Sequence, residues 1–219
     1  LRVICIDLMG PTEPDLDLKT GAIVTRDEDT GWPHGKLIDE KTQEIFLEFW
    51  DENNEDLDLS PLGMPEESDW VLYGAYNFDR AHLRNPLIYE LSRQSGRWAA
   101  RTRFCEVYFN TGGGTLSSSH YRGIYSFMEK IKRGEDRVDI RELSSRHTSE
   151  PEISGGYMLK IDRADPGDGG FSAVGRTLRW VEPKEDDVPS VQATWIRNYF
   201  NDFANALNGA NFRDPVRGY

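Results

Sequence analysis

Two runs constrain the fold more than any other feature of the chain. Residues 103–110 (RFCEVYFN) and 121–129 (YRGIYSFME) are rich in aromatic and β-branched residues, and TGGGTLSSSH lies between them. That connection has turn chemistry and is too short for the crossover a parallel pair requires, so the two runs form a β-hairpin. Further strand-like runs lie at 3–8, 22–25, 43–50, 70–76, 155–162 and 171–183. In QEIFLEFW (43–50) Ile45, Leu47 and Phe49 share one face while Phe46 and Trp50 share the other, the pattern of a strand covered on both sides. Residues 26–42 are polar and carry no clear period. Asn85-Pro86 supplies an N-cap and first-turn pair for a helix PLIYELSRQSG, with Leu87, Ile88 and Leu91 as its apolar face and Gly96 as its stop. The clearest helix is 190–209, opened by Ser190 and ended by Gly209, with Val191, Trp195, Tyr199, Phe203 and Leu207 at helical spacing. Strands, helix, hairpin, more strands and a terminal helix describe an α+β fold: a mainly antiparallel sheet with a few helices.

The 219 residues are read as a single domain, 1–219, with no repeat and no compositional break. The formal net charge is −12. Binding to nucleic acid draws on clustered cations that displace phosphate counterions, so the charge excludes non-specific nucleic-acid partners. No apolar run reaches the roughly 18 residues that a spanning helix needs. The chain begins at Leu1, so its first residues do not settle localisation. Cys5 and Cys105 both sit in apolar strand-like runs and read as buried free thiols, with a disulfide between them left open.

Motifs with intrinsic chemistry are sparse. TGGGT (111–115) lacks the Lys-Ser/Thr pair and helix start of a phosphate loop, so it reads as a hairpin tip. DENNED (51–56) opens like a calcium loop, but Asp56 and Leu62 stand where such a loop needs Gly and Glu. DRADPGDGG (162–170) offers oxygen ligands at loose spacing, which leaves calcium open there. The four histidines are scattered without metal-ligand spacing. Arg84 with Asn85, and Arg101 with Arg103, read equally as surface arginines or as forked anion binders.

Five stretches in order, LGMPEESDWVLYGAY, LRNPLIYELSR, RTRFCEVYFN, YRGIYSFMEKIKRGEDRVDI and ISGGYMLKID, resemble the CotH kinase family, named for spore coat protein H. WIRNYFNDFANAL near the end is similar to a helix of that family. The resemblance implies the N-lobe of an atypical protein-kinase-like fold, using ATP and Mg²⁺ to phosphorylate serines on coat or surface proteins. It further implies an extracytoplasmic or surface setting. It puts Arg84, Glu90, Arg101, Glu129 and Lys130 at the nucleotide, with Glu90 partnering a phosphate-binding cation and Glu129-Lys130 closing a strand at the cleft between two lobes. The chain departs from the family at HGKLIDEKTQEIFLEF, which leaves Lys41 as the nearest lysine, and at Pro86, inside a helix the family keeps continuous. The resemblance also implies that metal-binding and catalytic aspartates follow Tyr219 in a C-terminal lobe. This stretch alone is therefore expected to bind ATP weakly and to be inactive. The alternative expectation is a non-catalytic surface or coat module that keeps the fold to bind a partner. A carbohydrate-associated module rests on aromatic content alone.

Overall fold

A computed structural model describes residues 2–7, 35–39, 44–49, 53, 55–110, 115–162, 168–210 and 212–216. The strand expected at 22–25, Lys41, Trp50, half of DENNED, Gly112–Gly114 and the middle of the 162–170 loop lie outside the described residues. The chain divides into two compact units, 1–132 with 136–138, and 133–135 with 139–219.

The first unit is a six-stranded sheet in the order β1-β5-β6-β4-β3-β2, with one helix. Its strands are β1 (Arg2–Asp7), β2 (Gly35–Asp39), β3 (Glu44–Glu48), β4 (Asp69–Tyr73), β5 (Thr102–Asn110) and β6 (Tyr121–Glu129). The expected hairpin is β5–β6, and only β1 runs parallel to its neighbour. Strand β2 falls within the polar stretch 26–42, where no period marked it; its pairing with β3 makes it a strand.

Alternation along the strands divides the side chains between two faces. On one face Ile45, Leu47, Phe49, Trp70, Leu72, Cys105, Val107, Tyr125 and Phe127 form the main core, roofed by Leu62 and Met64. Trp70 and Phe127 stack at 5.0 Å. On the other face Val71, Ala100 and Met128 collect Phe46, Tyr73, Tyr89 and Trp98. Strand β3 is thus covered on both sides, as its alternation implied. Cys105 is a free, buried thiol, and burial pushes its pKa up to about 12.

Helix α1 (Arg84–Gln94) begins one residue before the expected Asn85 cap. Asp79 does the capping, accepting the Arg84 amide at 2.7 Å. Pro86 therefore sits in the first turn, where a missing N–H costs no helical hydrogen bond. Gly96 follows with φ +81°, a left-handed conformation that glycine takes without a steric penalty.

The second unit is a three-stranded sheet, β7 (Met158–Lys160), β9 (Arg176–Glu182) and β8 (Gly170–Ala173), with helix α2 (Ser190–Asn208). The sequence reading made 171–183 a single strand. Instead Val174 and Gly175 take φ 51° and 70°, the two left-handed positions of a tight hairpin turn, and split it into β8 and β9. The packed face of α2 also differs from the expected one. Gln192 and Ile196 are its buried residues, and Ala193, Phe200 and, from the expected face, Trp195 join Ile196 against Phe171, Leu178 and Trp180. Val191, Tyr199 and Leu207 are exposed. Apolar residues occupy two neighbouring stripes of α2, and contact with the small sheet selects the one through Ile196.

Candidate functional site

Where β4 and β6 end side by side, alternation continues beyond the last paired residues. Trp70 pairs with Glu129, so Asp69 faces Lys130 in the next register position. Glu67 and Asp69 are two apart in extended chain, as are Lys130 and Lys132, which puts each pair on a common side. The ion pairs follow that geometry. Lys130 Nζ reaches Asp69 at 2.8 Å, and Lys132 Nζ bridges Glu67 at 2.7 Å and Asp69 at 2.6 Å. Burial works against the Glu67 carboxylate, but Lys132 and the Ser68 and Asp69 amides outweigh it and hold its pKa below the ordinary 4.5. Burial likewise opposes the Asp69 carboxylate, and Lys130 and Lys132 hold it below 3.8. Burial alone would lower the Lys132 pKa, yet its two carboxylates raise it above 10.5.

A more deeply buried set of charges adjoins these pairs. Glu129, the last residue of β6, is fully buried. Its Oε2 accepts the Arg101 amide at 2.7 Å. Its Oε1 accepts Arg101 Nε at 2.7 Å and Arg137 Nη1 at 2.8 Å. Arg101 Nη2 extends to the Asp136 carbonyl at 2.6 Å. Arg137 is 2 % exposed and lies over the Trp70 ring at 5.1 Å. A guanidinium is weakly hydrated and stacks on aromatic faces, which makes this burial tolerable. Arg137 Nε and Nη2 are nevertheless buried without a hydrogen-bond partner. The charges thus fall into two sets, Lys130 and Lys132 with Glu67 and Asp69, and Arg101 and Arg137 with Glu129, linked through Arg137 Nε and Glu67 at 4.0 Å.

Of the five residues the sequence reading placed at the nucleotide, the structure pairs Arg101 with Glu129, while Lys130, next in the chain, pairs with Asp69. Arg84 and Glu90 lie elsewhere, on α1. Arg84 is exposed at the helix start, and Glu90 bonds Gln94 and Arg93 of its own helix. Arg103 is exposed and donates to the Thr102 carbonyl. The sequence reading missed Glu67, Asp69, Lys132 and Arg137. The first three carried a readable signal, Glu-x-Asp before a strand and Lys-x-Lys after its partner.

The residues described here do not form a Mg²⁺ site. Glu67 and Asp69 are each engaged by lysine, and among the described residues no three acidic, His or Cys side chains are grouped so that they could hold a metal ion. What the arrangement offers is anion chemistry: Arg101, Lys130 and Lys132 are partly solvent-facing, and buried groups fix Arg101 from behind. Two cavities of about 280 and 450 Å³ lie in the second unit. The first is walled by charges of both signs, including Arg133, Glu142, Glu182 and Lys184; the second is an open groove beside Trp195. Neither gathers cations as the corner of the first unit does. Among the described residues no helix is long and apolar enough to cross a membrane.

Compared with known proteins, residues 34–219 match a family model described as CotH kinase protein. No curated protein and no solved structure matches the chain.

Proposed function

The chain belongs to the CotH kinase family, and from that premise we propose that it takes part in ATP-dependent phosphorylation of a coat or surface protein. Its own contribution is to hold the nucleotide phosphates at the charged corner where β4 and β6 end. Phosphoryl transfer is achieved by positioning and by neutralising charge on phosphate oxygens, which calls for cations held in fixed directions. Arg101, Lys130 and Lys132 are the phosphate-facing cations of this reading. Glu129 is the positioning residue that accepts the Arg101 backbone amide and Nε; the Asp136 carbonyl accepts Arg101 Nη2, and Arg137 acts through Glu129.

The observation that carries the reading is the burial of Glu129 and Arg137. An ion pair taken out of water gains little net stability, and apolar replacements often do as well or better. Such a pair is therefore better explained by a task that needs fixed charge. ATP and Mg²⁺ remain the implied co-substrate and metal, and the chemistry assigned to this chain is confined to the phosphates.

The test is transfer of labelled γ-phosphate from ATP in the presence of Mg²⁺ by the full-length protein, with Lys130→Ala, Lys132→Ala and Arg101→Ala alongside. The reading expects labelling of protein serine that falls at least about tenfold in each variant, the effect of losing one charged hydrogen bond. Absence of labelling by the native protein, or full labelling by all three variants, would overturn it. A second reading, a non-catalytic coat or surface module, is favoured by one fact: Lys130, Lys132, Arg101 and Arg137 all already contact carboxylates. Native protein that folds normally but neither binds nor transfers phosphate would select it.

A further inference from the structure

Helix α1 packs little of its surface against the sheet. No residue in it is buried. Leu83, just before it, and Leu87, Ile88 and Leu91 within it are 51–58 % exposed, and Tyr76 and Phe78 in the preceding turn are equally open. An isolated helix of this length is marginal in water, since helices in proteins draw most of their stability from packing an apolar face. Here the apolar face points outward. The helix is held instead by Asp79 at its start, by Tyr89 against the outer face of the sheet, and by Arg93, which donates to the Ala99 and Ala100 carbonyls at 3.3 and 2.7 Å.

The charges around this face are basic. Arg80, Arg84, Arg93 and Arg97 stand against Asp79 and Glu90, and both acids are occupied locally, Asp79 by the Ala81 and Arg84 amides and Glu90 by Arg93 and Gln94. The rest of the chain is acidic, with an overall net charge of −12. An apolar stripe with a basic rim on an acidic protein selects its complement.

We propose that α1 and the turn before it form a docking surface for an acidic amphipathic helical segment of a partner protein. Leucine-type side chains of the partner would lie against Leu83, Leu87, Ile88 and Leu91, the helix-in-groove mode of recognition, while its carboxylates meet Arg80 and Arg97. This surface is independent of the phosphate site.

The test uses a labelled helical peptide with leucines at every third or fourth position and glutamates elsewhere, and a control peptide with lysines in place of the glutamates. Binding is read by fluorescence anisotropy on the full-length protein, with circular dichroism confirming the fold of each variant. The glutamate peptide should bind, and binding should weaken with salt. Leu87→Gln/Ile88→Gln should abolish it, and Arg80→Glu/Arg97→Glu should weaken it at least about tenfold. Equal affinity for the lysine peptide, or no binding of the glutamate peptide, overturns the proposal. So does sedimentation as a dimer that Leu87→Gln/Ile88→Gln abolishes, which would make the occupant a second copy. Binding to phosphatidylserine vesicles in place of the peptide overturns it as well.

Discussion

Glu129 and Gln192 are fully buried polar side chains, one in each compact unit, and each ties together backbone distant in sequence. Gln192 does this with a neutral amide: its Nε2 donates to the Ser144 and His147 carbonyls at 2.7 and 2.8 Å. Glu129 does it with a full charge that two arginines contact. The second unit shows that a neutral group is enough to pin a loop. The ionic version in the first unit costs more desolvation for the same mechanical result, so its charge is better understood through what it holds, the Arg101 guanidinium, than through the fold alone.

The sharpest way to break this comparison is to remove one charge. Glu129→Ala strands Arg137 in the interior and should cost about 3–5 kcal/mol in chemical denaturation. The paired replacement Glu129→Leu/Arg137→Met should recover most of that loss. If the single change is nearly neutral, the corner is wetter than the structure shows and the contrast with Gln192 fails. Gln192→Ala should cost less, about 2 kcal/mol, because it abandons two carbonyls and no charge. Val174→Asn should stabilise the second unit by about 1 kcal/mol, since valine is poorly suited to φ 51° and asparagine tolerates it.

Smaller still is the effect of the partly buried pairs between Glu67, Asp69, Lys130 and Lys132. Lys132→Ala should change stability at neutral pH by less than about 1 kcal/mol, the usual value of a partly solvated pair. Its signature is in pH dependence. The Glu67 and Asp69 pKa values are depressed on folding, so their contribution is present above the ordinary 4.5 and 3.8 and is lost as pH falls through the lower folded values. Lys132→Ala should flatten that acid limb. The second unit has a limb at the other end. Burial, with Glu150 nearby, pushes the Tyr157 pKa up from 10.0 to about 12, so its contribution is present below 10.0 and lost as pH rises toward about 12. Tyr157→Phe should flatten this alkaline limb, and it also removes a buried hydroxyl that has no partner. Unfolding midpoints followed across pH distinguish the two limbs.

Much of the framework was legible in the sequence because period-two alternation states which side chains share a face. The β5–β6 hairpin and the two-sided burial of β3 follow directly from it. The same rule, extended past Trp70 and Glu129, would have found Glu67, Asp69 and Lys132. Arg137 was not legible: it reaches Glu129 by a return of the chain after Lys132, closed by the Val138 amide on the Lys132 carbonyl at 3.1 Å, and no local period encodes that return. Helix α2 was found as a helix, but its packed face was only partly identified: Trp195 packs against the small core as expected, Ala193, Ile196 and Phe200 join it, and Val191, Tyr199 and Leu207 stay exposed. Glu90 was chosen through its helix, and the structure leaves it bonded to neighbours in that helix.

The most direct test of the phosphate site compares ATP with adenosine. Affinities of both for the full-length protein, native and Lys130→Ala, are measured by titration calorimetry with Mg²⁺ present. If the corner holds phosphates, ATP binds more tightly than adenosine, and Lys130→Ala weakens ATP at least about tenfold while leaving adenosine unchanged. Equal ATP affinity in the native and variant proteins would contradict the account and leave the charged corner as a structural lattice.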